Sequence, residues 1–108
     1  MEPIQGRRLP DAQFSEFPLD KQPGDYWKVI DYDLGDAYPS NLTRTVWRFT
    51  SPDGNGDGLL MSHTVREEED GTISIRPGDG SSNSVLHSGG GQDLTWHGYV
   101  EHGLWTEC

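Results

Sequence analysis

Residues 43–50 combine β-branched and aromatic side chains in an alternating order that is typical of a β-strand. Successive side chains of a strand point to opposite faces, so Trp47 and Phe49 share one face with Thr45. Val46 lies on the other face, between two arginines. Residues 26–32 have the same composition and predict an earlier strand, with a Gly- and Pro-containing loop between the two.

A third strand is predicted over residues 59–67, which follow a turn-rich loop over residues 51–58. Alternation places Leu59, Met61, His63 and Val65 on a common face.

The hairpin that follows can be registered from its side chains. A three-residue loop over residues 69–71 pairs Val65 with Ile75 and Glu67 with Ile73, which keeps the apolar residues on one side. Gly71 then takes the left-handed position that such loops favour. A two-residue turn would mix the faces, so the longer loop is the predicted register.

Two further segments complete the predicted fold. Residues 84–87 form a short strand, and residues 94–101 and 104–107 form a last hairpin across a His102-Gly103 turn, with Val100 opposite Trp105. The total of about six or seven short strands with no convincing helix predicts an all-β domain over residues 26–108, built as a small antiparallel sandwich or open barrel.

The first 25 residues predict an extended N-terminal arm. Pro3, Pro10, Pro18 and Pro23 exclude a long helix or a central strand there. Apolar residues are scattered through the arm, which indicates docking on the body of the domain or on a partner.

Composition limits the classes of function. Of 108 residues, eight are Lys or Arg and 18 are Asp or Glu, which gives a net charge of −10. Phosphate backbones repel such a charge, so direct nucleic-acid binding is not expected. A partner with a basic surface is favoured instead. No apolar run predicts a membrane helix or a secretory signal, and the single Cys108 suits a reducing compartment, so we expect a cytoplasmic protein.

Two acidic segments are the predicted partner-binding sites. An unbroken acidic run lies at the tip of a hairpin and consists of Glu67, Glu68, Glu69 and Asp70. Such a run commonly has only a structural role, because its charges keep the hairpin end solvated and prevent strands of other molecules from pairing with it. As a functional feature, it offers a local negative surface to basic side chains. The second segment contains Asp31, Asp33 and Asp36.

Two weaker patterns concern metals. Asp53, Asn55 and Asp57 match the first half of a calcium loop, but Thr64 occupies the position of the bidentate acid, so an ordinary turn is the alternative. His97 faces Cys108 across the predicted last hairpin, which is the best-placed pair for a transition metal, although structural zinc usually has four ligands.

Other chemistry is not indicated. The chain contains no nucleophile elbow, zinc-protease motif or phosphate-binding loop, and we expect neither an enzyme nor a cofactor. The four tryptophans are expected to fill the core, whereas exposed rings would favour a surface that binds protein or sugar. These are Trp27, Trp47, Trp96 and Trp105.

Residues 45–105 resemble an uncharacterised family of short β-rich proteins frequent in bacteriophages and actinobacteria. The resemblance is carried by residues 47–54, 70–75, 81–86 and 96–103. Family members often have Cys-Pro after the first strand and Cys-His at the last hairpin, which implies metal ligation. Here Ser51 and Trp96 replace those cysteines and His97 remains. The resemblance supplies no activity, but it implies a phage or actinobacterial origin.

These features predict a small, acidic, non-enzymatic protein that is encoded by a phage. We expect it to bind a basic host or viral protein in the host cytoplasm, and inhibition of that partner is one form of this prediction. A calcium- or carbohydrate-binding β module and a virion structural or accessory protein are the alternatives.

Overall fold

Nine β-strands and no helix make up the part of the molecule that the computed structural model describes, namely residues 2–33, 43–60, 64–75, 84–88 and 95–107. The predicted all-β fold is therefore confirmed. None of these residues belongs to a helix long and apolar enough to cross a membrane. The strands are β1 (Ile4–Gln5), β2 (Tyr26–Asp33), β3 (Thr43–Thr50), β4 (Asp57–Leu59), β5 (Val65–Glu67), β6 (Ile73–Ile75), β7 (Val85–Ser88), β8 (Thr95–Glu101) and β9 (Leu104–Glu107).

The main core lies between antiparallel sheets. One sheet has the strand order β1-β9-β8-β7, a second has the order β2-β3-β4, and β5 pairs with β6 in a third. All three sheets contribute buried side chains to one cluster, as expected for a small sandwich. Its members are Tyr26, Trp47, Phe49, Leu60, Ile73, Ile75, Val85, Trp96, Val100 and Trp105.

A second apolar cluster covers the opposite face of the β2-β3-β4 sheet. Trp27, Val29 and Val46 are buried there against Ala12 of the arm. Trp47 and Phe49 belong to the main core, so β3 presents opposite faces to the two clusters, as its alternation predicts.

Both predicted hairpin registers are confirmed. Val65 pairs with Ile75 and Glu67 pairs with Ile73, and Gly71 has a φ of +86°. In the last hairpin Val100 lies opposite Trp105. The two residues of its turn, His102 and Gly103, have positive φ angles of 49° and 75°, as a type I′ turn requires.

The single strand predicted over residues 59–67 is wrong. Leu59 pairs with Arg48 at the end of β4, whereas Val65 begins β5 in a different sheet. Leu59 packs on the second cluster and Val65 on the main core, so the two do not share a face. The neighbouring Leu60 is buried in the main core, so Leu59 and Leu60 each find an apolar partner on opposite sides of one sheet. Residues 61–63 lie outside the described part of the chain.

The N-terminal arm lies on the body and extends two sheets. Ile4 pairs with Trp105, so β1 forms the edge of its sheet. Farther along, Leu9 N–H donates to the carbonyl of Tyr26 at 2.8 Å, beside the exposed edge of β2. Between these contacts, a Cβ on Gly6 would lie only 2.0 Å from the carbonyl oxygen of Gly24. The close approach of the arm backbone to the body therefore requires glycine at this position.

Candidate functional site

The predicted acidic run lines a groove at the tip of the β5–β6 hairpin. Glu67, Glu68, Glu69 and Asp70 surround a space of about 380 Å³, together with Arg66 of β5 and His102 of the neighbouring hairpin turn. We call this space the acidic groove. Gly103 N–H donates to the carbonyl of Ile73 at 2.9 Å and holds the two hairpins together.

Glu68 is the most buried acid of the groove, with only 7% of its side chain exposed. Arg66 Nε lies 2.8 Å from one oxygen of its carboxylate, and His102 Nε2 lies 3.0 Å from the other. The hydroxyl of Ser74, which is itself fully buried, lies 3.3 Å from the same carboxylate and accepts a hydrogen bond from His102 N–H at 2.8 Å. Glu68 therefore joins the two hairpins and is not a freely solvated charge.

Glu67 ties the hairpin to the arm and to β2. Arg8 Nη1 donates to its carboxylate, and Lys28 Nζ donates to the other oxygen at 3.0 Å. The hydrogen bonds from these two cations hold the pKa of Glu67 below its usual range.

The remaining two acids of the run leave negative charge open to solvent. Asp70 accepts hydrogen bonds from the hydroxyl and the backbone N–H of Thr72, which hold its pKa low and stabilise the turn. Glu69 is exposed at the tip. The structure thus divides the predicted run into two internally paired acids, Glu67 and Glu68, and two outward-facing ones.

Of the second predicted acidic segment, the structure describes the side chain of Asp31, which does not line the acidic groove. Asp31 is exposed and accepts a hydrogen bond from Phe14 N–H, so it positions the arm. Asp36 and the side chain of Asp33 lie outside the described part of the chain.

The predicted calcium loop uses its acids for contacts within the protein. Asp53 accepts a hydrogen bond from Asn55 N–H at 3.0 Å. Asp57 pairs with the ammonium of Lys21 and accepts a hydrogen bond from the Thr50 hydroxyl at 3.0 Å. This arrangement anchors the arm to β4 through Lys21. The Lys21 ammonium pairs with the Asp57 carboxylate, which is one of the ligands that a calcium ion would need.

The predicted transition-metal pair is only half described. His97 is exposed and pairs with Leu86 on β7, while Cys108 lies outside the described residues. Within the described part of the chain, no three His, Cys, Asp or Glu side chains converge as a metal site.

All four tryptophans are buried, each with at most 8% of its surface exposed, as the sequence predicts for core residues. The surface therefore lacks the exposed Trp rings that a sugar-binding face would present.

Sequence reasoning missed the basic residues of the site. Arg8 contacts Glu67 from 59 positions away in the chain, and Lys28 from 39. The sequence predicts His102 as a turn residue. The pairing of two hairpins brings it to Glu68, and no local pattern in the sequence signals that contact.

Comparisons of this chain with protein-family models, with curated proteins and with solved structures found no match. The resemblance to the phage and actinobacterial family stays a prediction.

Proposed function

We propose that this protein is a small, non-enzymatic interaction protein whose acidic groove binds a cationic surface of a partner protein. The observation that carries the proposal is the placement of four consecutive acids around one groove of about 380 Å³. Glu69 and Asp70 direct their charge to solvent, so a Lys or Arg side chain of a partner can approach them.

The internal ion pairs support this proposal, because they hold the groove in shape before a partner arrives. Glu67 is fixed by Arg8 and Lys28, and Glu68 by Arg66 and His102. A preformed site loses less conformational entropy on binding than a flexible one. The net charge of −10 adds a long-range attraction that speeds encounter with a basic protein.

The partner follows from the same chemistry and from the family resemblance. An acidic surface disfavours nucleic acid and favours a basic protein. If the protein is encoded by a phage, the partner is a basic host or viral protein in the host cytoplasm, and binding at its cationic surface inhibits it.

The test is the double substitution Glu69→Gln/Asp70→Asn, which removes the outward-facing charges and leaves the internal pairs intact. A partner is first isolated on the immobilised protein and identified by mass spectrometry, and its binding kinetics are then measured. The association rate constant should fall several-fold with little change in dissociation, because exposed charges act mainly on encounter. Raising the salt to about 0.5 M, where the Debye length is about 4 Å, should slow association of the wild type similarly.

The matched control is Asp20→Asn/Glu107→Gln, which removes two acids from outside the acidic groove and should change association much less. Asparagine suits position 20 because the backbone there has a φ of +57°. Association that is insensitive both to salt and to Glu69→Gln/Asp70→Asn would show the proposal to be wrong.

A further inference from the structure

Part of the N-terminal arm exposes large apolar side chains. Phe14, Phe17 and Leu19 keep 42%, 56% and 89% of their surface exposed, although only 31% of the whole chain is hydrophobic. A concentration of such residues on one surface commonly marks a binding site.

Phe17 and Leu19 border a second groove, also of about 380 Å³. We call it the arm groove. Its two charged lining residues, Asp11 and Glu16, are both acids. Its apolar and proline residues are Leu9, Pro10, Ala12, Phe17, Pro18 and Leu19. The arm groove therefore suits an apolar side chain that is accompanied by positive charge.

Two cations, Arg48 of β3 and Lys21 of the arm, hold the arm groove in place. The guanidinium of Arg48 lies 4.6 Å from the ring centre of Phe17, and Lys21 Nζ lies 5.5 Å from the same centre. Arg48 also donates to the carbonyl of Phe14 at 3.4 Å. Cation–π contacts of this kind fix ring positions and reduce the entropy lost on binding.

Arg8 connects the arm groove to the acidic groove. Its Nη2 atom lies 3.6 Å from Asp11, which lines the arm groove, and its Nη1 atom pairs with Glu67, which lines the acidic groove. One guanidinium therefore contacts an acid in the lining of each groove and links the two.

We infer that both grooves bind one extended segment of the partner protein, in which a large apolar side chain enters the arm groove and neighbouring Lys or Arg side chains reach the acids. This inference rests on the proposed function and specifies the partner's sequence class. Side chains hold the segment, because Pro10 and Pro18 lack the N–H groups needed to add a strand to the arm. A second copy of the chain fits poorly, since each carries a charge of −10.

The experiment measures fluorescence anisotropy with two labelled lysine-rich peptides, one with a central pair of leucines and one with serines in their place. Leu19→Ser should weaken binding of the leucine peptide about tenfold, which corresponds to about 1.4 kcal/mol. Binding of the serine peptide should not change. The fold should be unaffected, because Leu19 is 89% exposed. The matched control is Leu86→Ser, because Leu86 lies on β7 and is 66% exposed. It should change the affinity of neither peptide. Glu69→Gln/Asp70→Asn should weaken the binding of both peptides.

If the leucine peptide binds Leu19→Ser and Leu86→Ser with equal affinity, the inference is overturned. Weaker peptide binding by Glu69→Gln/Asp70→Asn would still support the proposed function in that case. The reverse pattern, sensitivity to Leu19→Ser alone, would refute the role of the acidic groove and leave the arm groove as the binding site. Sedimentation of the wild type as a dimer that Leu19→Ser converts to a monomer would show that a second copy covers the arm groove, which also overturns the inference.

Discussion

Replacing Trp105 with alanine is expected to lower the free energy of unfolding by about 3–5 kcal/mol. Trp105 is fully buried on β9, with its ring stacked at 5.2 Å on Phe49 and edge-on at 5.7 Å to Trp96. Its Nε1–H also donates to the carbonyl of Gly24 at 2.7 Å. One side chain therefore joins both large sheets and the base of the arm, and its removal leaves a cavity and an unpaired carbonyl.

Such a loss is a large part of the roughly 5–15 kcal/mol that stabilises a typical domain. The melting temperature should fall by roughly 15 °C or more, as measured by calorimetry and near-ultraviolet circular dichroism. The control is Leu104→Ala at the preceding residue, whose side chain points to the opposite face and is 39% exposed. Similar melting temperatures for the two variants would show that Trp105 does not join the sheets in this way.

Asp25 carries the second large effect, because it is a carboxylate with only 1% of its surface exposed. Arg7 donates to it from Nε at 3.0 Å and from Nη2 at 2.6 Å, and Gln22 N–H donates at 2.8 Å. Asp25→Ala removes every one of these acceptors and should cost about 3–5 kcal/mol. Asp25→Asn keeps the shape and loses the charge, and should cost about 1.5–3 kcal/mol, as measured by urea unfolding.

The pH dependence of this effect has a defined sign. Burial alone would raise the pKa of Asp25, but the hydrogen bonds from Arg7 and from backbone N–H groups hold it below its usual value. A depressed folded-state pKa adds stability that is complete above the unfolded pKa of about 3.9 and is lost as pH falls through the folded value. The stability difference between wild type and Asp25→Asn should therefore be constant near neutral pH and shrink below about pH 4. A difference that grows on acidification would contradict this assignment.

Local chemistry allowed the sequence to predict the hairpins correctly. The loop at residues 69–71 and the turn at His102 and Gly103 bring nearby segments together, and keeping apolar residues on one face selects a single register. The two faces of β3 followed from alternation alone. The acids of the candidate site were also visible, because Glu67, Glu68, Glu69 and Asp70 are consecutive.

The predicted strand over residues 59–67 failed because alternation cannot distinguish one apolar face from two different cores. Leu59 and Val65 have the spacing of residues on one face, yet they pack on different clusters. Only the pairing of β4 with β3, and of β5 with β6, assigns each residue to its sheet. Leu60, which the predicted face left outward, is buried.

For this protein the sequence by itself determined the all-β class, the hairpin registers and the existence of an acidic tip, because each depends on residues close together in the chain. Only the tertiary structure decided which acids of this tip remain open to solvent. Arg8 and Lys28 pair with Glu67, and His102 contacts Glu68, from distant positions in the chain. Arg8 also contacts Asp11 of the arm groove. Such contacts arise from the packing of segments that are far apart in the chain, so no local sequence pattern predicts them.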